Sequence, residues 1–421
     1  MRRVQQQMIG IMAGWPYSSH LRKLEAIQAR KQDLMKRDIS LDVLRGIMLV
    51  VMAADHFGEP IFNHMYEIAG YVSAAEGFVF LSGMLVAMVY GRYHATGSQV
   101  LEQRIWHRAG VIYLYHLVVL LAVFVFTVAT KLSGAYWQSF ATEMQAEPVR
   151  GLLSGMSLVY QPPMLDVLPL YVILMLAAPF GLRLMMQYRS IGVAMFLTGS
   201  FGFWLAAQYG WGRDFLGLLP DAIMVRVGAF DFMAWQLVFG LGMVLGYWRL
   251  SSKGEQPRVN LWLWALCAGV VVYLYLLRHG QVQQAWLSQY PHIARDNMAW
   301  LRLINFLALV YFVAGLVSLH RLYGVFKLLT IPGRWLAFLG RNSLQVFAYH
   351  LIVLYCYIPF RWGAWALTDN QKWFVLVVFL ASLSLPAWWY ERWQKRKKEQ
   401  KASKESGGFR LCSTHPTEAL I

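Results

Sequence analysis

Arg45 and His56 stand eleven residues apart in one apolar stretch, a guanidinium and an imidazole inside a segment that otherwise reads as a helix. At 100° per residue, eleven steps bring the two side chains to within about 20° of one face, roughly 16 Å apart along the axis. Asp42 precedes Arg45 by three residues and Asp38 precedes Asp42 by four, so both acids join the same stripe. Asp55, next to His56, points about 100° away. Ionisable groups inside an apolar helix are costly and are kept mainly where they act. A neutral imidazole could take a proton from an acceptor hydroxyl in a group transfer. Arg45 could hold a phosphate or a carbonyl along the way. The bland reading is a buried Asp42–Arg45 pair tying helices together, with His56 an ordinary interfacial residue. Alignment of the whole set favours the chemical reading.

Other polar groups recur at comparable depth. Glu76 lies in the outer turns of the next apolar stretch, level with His56, where it could orient the imidazole or be satisfied by a hydroxyl. Its neighbours Ala74, Ala75, Gly77 and Gly83 favour close helix packing in either case. Asp166 and Asp231 each open an apolar run, and each suits a helix cap as well as a site. Gln236 sits deep enough to need a partner, and Trp235 reads as packing or as interfacial belt. Asn342, Gln345 and Tyr349 share one face, which could bind a polar chain or another helix. Arg302 is a candidate for an anionic group, with an interfacial arginine as the simpler view.

These residues need helices to position them, and the composition supplies them. Of 421 residues, 58% are hydrophobic and 14% charged, whereas soluble domains carry about 25% charged residues. The expected fold is all-α, a polytopic membrane helix bundle. Ten stretches reach the ~20 residues a span requires. They lie at about 38–57, 72–93, 108–130, 165–186, 191–209, 230–248, 261–277, 300–322, 335–359 and 373–389. With both termini cytoplasmic, tails and inner loops hold 27 of the 38 Lys and Arg, against nine in the outer loops. The positive-inside rule therefore predicts an N-in, C-in arrangement. The formal charge of +16 owes +11 to residues 1–37 and 392–421. Basic tails beside apolar helices face anionic lipid, and nucleic acid is not an expected partner.

Three units are expected: a basic cytoplasmic segment 1–37, the membrane domain 38–390, and a basic, disordered cytoplasmic tail 391–421. Residues 19–36 read either as an interfacial amphipathic helix or as a disordered tail. The short apolar part of the N-terminus does not fit a signal peptide, and whether 1–36 belong to the mature protein stays open. The three cysteines suit neither a disulfide framework nor a zinc site, and no metal is expected. In the outer connection 131–164, residues 149–160 read as a re-entrant or interfacial segment ended by Pro162 and Pro163.

Five blocks occur in order: Arg37-Asp-Ile-Ser-Leu-Asp42-Val-Leu-Arg45-Gly46 leading to Asp55-His56; Ala75-Glu76 to Gly83; Leu165-Asp166-Val-Leu-Pro169-Leu-Tyr171; Ala234-Trp235-Gln236; and Leu339-Gly340-Arg341-Asn342-Ser343-Leu344. Over residues 37–390 the chain resembles the OpgC family of bacterial inner-membrane proteins, within the wider integral-membrane acyltransferases. Those enzymes share an Arg and a His with ten residues between them on the first helix, as Arg45 and His56 have. The resemblance implies succinyl transfer from succinyl-coenzyme A, a donor and not a bound cofactor, to hydroxyls of osmoregulated periplasmic glucans. On that basis His56 is the general base, Arg45 lies on the donor path, and Glu76 completes the catalytic set. Asp42, Asp55, Asp166, Asp231, Gln236, Arg302, Arg341 and Asn342 are candidate substrate contacts. Asp231 follows Phe230 where the family pattern more often has an amide. A succinyl carboxylate would need a cation, and spacing does not separate Arg226, Arg295 and Arg302. The competing class is a transporter or flippase using the same polar helices without covalent chemistry; no inverted repeat supports it.

Overall fold

A computed structural model describes residues 38–59, 61, 65–129, 138–252, 259–281, 284, 286–287, 289–323, 330–361 and 366–411. The segment 1–37 and the last ten residues lie outside the described residues. Two compact units are defined, 1–40 and 41–421, and the second carries the bundle.

The helices are α1 Ile39–Phe57, α2 Ala74–Tyr90, α3 Ser98–Phe124, α4 Gln138–Ala146, α5 Pro148–Met156, α6 Val167–Gln208, α7 Trp211–Leu216 and α8 Phe232–Ser251. They continue as α9 Leu261–Arg278, α10 Tyr290–Ile293, α11 Trp300–Tyr323, α12 Thr330–Arg341, α13 Ser343–Arg361, α14 Asp369–Ser382 and α15 Ser384–Leu411. Among the described residues seven helices are long and apolar enough to cross a membrane, with α14 and α15 taken together and α1 and α8 not counted. The only β pairing described is an isolated bridge between Tyr160 and Arg226. The chain is an all-helical, multi-pass membrane protein.

The expected stretches 165–186 and 191–209 are two helical arms of α6, parted at Arg189 (φ 51°, ψ −124°). Phe196 packs on Gly181, and Gly192 lies against the backbone of Leu184, so the two arms fold back as a hairpin. Predicted span 335–359 is two helices, α12 and α13, parted at Asn342. Gly46 of α1 abuts Leu336 and Gly340 abuts the Asp42 carbonyl, a register that runs α12 antiparallel to α1. The last predicted span also breaks, between α14 and α15 at Leu383. α15 then continues to Leu411, where a tail without regular structure was expected. The segment 149–160 contributes the short helix α5, which exposes Val149, Leu153 and Met156 and buries Gly151, Ser154 and Gly155.

Close backbone approach holds the centre together. A Cβ on Gly83 would meet the Phe239 carbonyl oxygen at 2.0 Å, and one on Gly242 would meet the Phe80 carbonyl at 2.0 Å. A Cβ on Gly246 would meet the Met84 carbonyl at 2.3 Å. Phe80 and Met84 thus face Gly242 and Gly246 at one offset, so α2 and α8 run parallel, and their small residues permit the contact that drives helix association in lipid.

Candidate functional site

α1 and α13 bring the candidate chemistry together. Arg45 Nη2 donates to Ser343 Oγ at 2.5 Å, and His56 Nδ1 lies 3.2 Å from His350 Nε2. The two histidine rings are stacked, 15° from parallel, with centroids 5.5 Å apart. Ser343 and His350 are seven residues apart, and Arg45 and His56 eleven, so each pair shares a helix face. The helices therefore run side by side in the same direction, with two polar rungs between them.

Aromatic rings fill the space between the rungs. The Arg45 guanidinium lies 5.4 Å from the Phe78 ring centroid. Phe78 stacks on Phe347 and meets Tyr171 edge-on, while Phe347 meets His350 edge-on. Tyr171 donates to Ser82 Oγ at 3.0 Å. Phe57, next to His56, stacks on Tyr357 with centroids 4.3 Å apart. His350 is buried, and His56 is half-buried.

Glu76 is not beside His56. Its Oε2 accepts from the Ser73 amide and hydroxyl, completing a capping box at the start of α2, and Oε1 accepts from Arg302 Nη1 at 2.8 Å. Arg302 also pairs with Glu67 through Nη2 and donates to the Ile293 carbonyl. Arg278 Nε donates to the other Glu67 oxygen at 2.6 Å. Burial pushes the Glu67 carboxyl up, but Arg302 and Arg278 outweigh it and hold the group below the usual carboxylate range. Glu67 adopts φ 53°, a left-handed backbone that its two ion pairs help to hold. Arg302 is thus a buried structural ion, only 2% exposed, rather than an interfacial arginine.

The remaining candidates divide between capping, packing and the site. Asp231 caps α8 by accepting from the Met233 amide at 2.8 Å. Asp166 is buried and accepts from the Ala229 amide at 2.9 Å, which fixes the loop entering α8 instead of capping its own helix. Gln236 finds its partners in the Ser200 and Met233 carbonyls. Trp235 is buried and donates to the Arg295 and Asp296 carbonyls. Asn342 donates to Phe338 O and to Glu391, and exposed Arg341 pairs with Glu391 at 3.5 Å. Asp42 is buried at the α12 contact. Asp55 keeps Oδ1 buried and without a hydrogen-bond partner among the described residues. Sequence reasoning assigned no role to His350, Ser343 or Glu67.

α1 and α13 thus hold an arginine–serine contact and a pair of imidazoles inside a multi-pass bundle, groups able to hold an anion and to take up a proton. The family model described as OpgC protein matches residues 37–395, and the chain belongs to that family. Membership points to a membrane acyltransferase role in glucan modification. No curated protein matches the chain.

Proposed function

We propose that this protein moves a succinyl group from cytoplasmic succinyl-coenzyme A to a hydroxyl of a periplasmic glucan, in the bacterial inner membrane, with His56 as general base. The observation that carries the reading is the His56–His350 pair at the end of a track that starts at Arg45 and Ser343.

The protons can be followed. His56 Nδ1 faces His350 Nε2, so one of the two nitrogens carries the proton, and in the base-competent tautomer it sits on His56 Nδ1. Nε2 of His350 then accepts from Nδ1–H of His56, leaving His56 Nε2 as the lone pair that takes the acceptor proton. The hydroxyl oxygen attacks the thioester carbonyl carbon, the C–S bond breaks, and the proton on His56 Nε2 passes to the departing thiolate. The products are a glucan ester and free coenzyme A. His350 acts through His56 and is a positioning residue. Glu76 has no part in this relay.

The topology that suits this reading is ten spans with both termini inside. Counting α1, α8 and the two arms of α6 separately raises the seven long helices to that number. A cavity of about 820 Å³ among the ends of α2 and α8 and the α6 hinge has Arg92, His94 and Arg189 in its lining. On that topology the cavity faces the cytoplasm, where these cations could meet the donor's phosphates.

The experiment is mass spectrometry of periplasmic glucan from strains carrying wild type or His56→Ala at matched membrane levels. Loss of the acyl substituents is expected. Unchanged acyl content would rule out His56 as the base, and glucan lost from the periplasm altogether would instead indicate export.

A further inference from the structure

Most cations that could meet a negative substrate near His56 are already engaged. Arg302 spends Nη1 on Glu76, Nη2 on Glu67 and Nε on the Ile293 carbonyl. Arg278 is taken by Glu67, and Arg226 pairs with Glu143 at 3.4 Å. Arg295 differs. It is half-buried and forms no ion pair or side-chain hydrogen bond with any described residue. Its guanidinium carbon lies 5.8 Å from the Tyr66 ring centroid and 5.6 Å from that of Phe230. Trp235 pins the Arg295 backbone by donating to its carbonyl at 3.0 Å.

Tyr66 lies in the connection that leaves α1 just beyond His56, and Phe230 follows Ala229, the partner of Asp166, so Arg295 sits at the His56 end of the bundle and not on a remote surface. Asp166 is committed to the Ala229 amide, and Asp55 does not come within ion-pair distance. Aromatic faces hold a guanidinium in place through its π surface and leave its in-plane N–H donors for another group. A planar fork of donors matches a carboxylate. A partly desolvated cation left unpaired is costly, and an arriving anion removes that cost.

We propose that Arg295 binds a carboxylate at the far end of the acyl group, and so makes the enzyme select dicarboxylic over neutral acyl donors. The inference rests on acyl transfer at His56 and adds the determinant of which acyl group is carried. Arg302 and Arg226 are excluded from that part by their own carboxylates.

The test compares succinyl-coenzyme A with butyryl-coenzyme A, which has the same chain length and a methyl in place of the carboxylate. Full-length protein in lipid nanodiscs transfers each to purified glucan, as wild type, Arg295→Gln and Arg295→Lys. Wild type should prefer succinyl. Arg295→Gln should lose about tenfold or more in kcat/KM for succinyl, with little change for butyryl, and Arg295→Lys should fall between. Equal loss with both donors would make Arg295 structural, and a wild type indifferent to the carboxylate would overturn the proposal without any variant. If Asp55→Asn restored Arg295→Gln, Arg295 would be a counter-charge for Asp55 and the proposal would also fail. Activity persisting in His56→Ala would count against the general base alone and leave the donor comparison intact.

Discussion

Between His56 Nδ1 and His350 Nε2 there is room for one proton, since two N–H groups cannot face each other at 3.2 Å. Removing the acceptor should therefore loosen the tautomer of His56 without emptying the site. His350→Ala is expected to lower kcat by about 10²-fold, within the usual worth of a positioned base, while KM changes little. His350→Gln, whose Oε1 can accept the same proton, should recover part of the rate; equal losses in Ala and Gln variants would leave only a packing role. Arg45 and His56 were legible because their spacing lies within one helix and needs only the helical angle. His350 was not, because its partner is 294 residues away and no local period announces a contact between helices. For Glu76 the structure shows the second of the two sequence readings, an acid satisfied by a hydroxyl, that of Ser73. Ser73-Ala-Ala-Glu76 is a capping-box pattern, and that local signal already assigned one carboxylate oxygen.

At the scale of elements, the ion pairs between the α1–α2 connection and α11 set an acid limit. Because the Glu67 pKa is depressed in the folded protein, its stabilisation is present above the unfolded carboxylate value of about 4.3 and is lost as pH falls through the lower folded value. Thermal unfolding in detergent should show wild type losing its advantage over Glu67→Gln below about pH 4. A constant gap down to pH 2 would deny the linkage. The α2–α8 contact has no such pH dependence. Gly83→Leu would force a side chain into the Phe239 carbonyl and should cost about 1–3 kcal/mol, visible as a lower unfolding temperature. The small residues of α2 were readable from sequence as packing. The break at Arg189 was readable as the gap between two apolar runs, but those at Asn342 and Leu383 were not, since an apolar run shows that a stretch is buried in lipid or protein but not where it turns.

For the molecule as a whole, charge asymmetry and apolar runs were sufficient to indicate a multi-pass helical protein. Orientation is the part that labelling can decide. In a chain whose Cys267, Cys356 and Cys412 are replaced by Ser, Leu218→Cys should react with a membrane-impermeant maleimide in intact spheroplasts. Ser251→Cys should react only after permeabilisation. Both positions are exposed, so the reverse pattern would invert the topology and put His56 at the wrong surface.

The parallel pairing of α1 with α13 also sets an order of events during synthesis. His56 enters the membrane with the first helix, yet its stacked partner comes from position 350. Most of the chain must be inserted before that imidazole is held in register. Nascent or truncated forms would then carry a histidine without its relay, unable to spend acyl thioesters on water. Activity would switch on only as the α13 helix docks, and two separately expressed halves, divided within residues 253–258, should regain it by assembling in the bilayer.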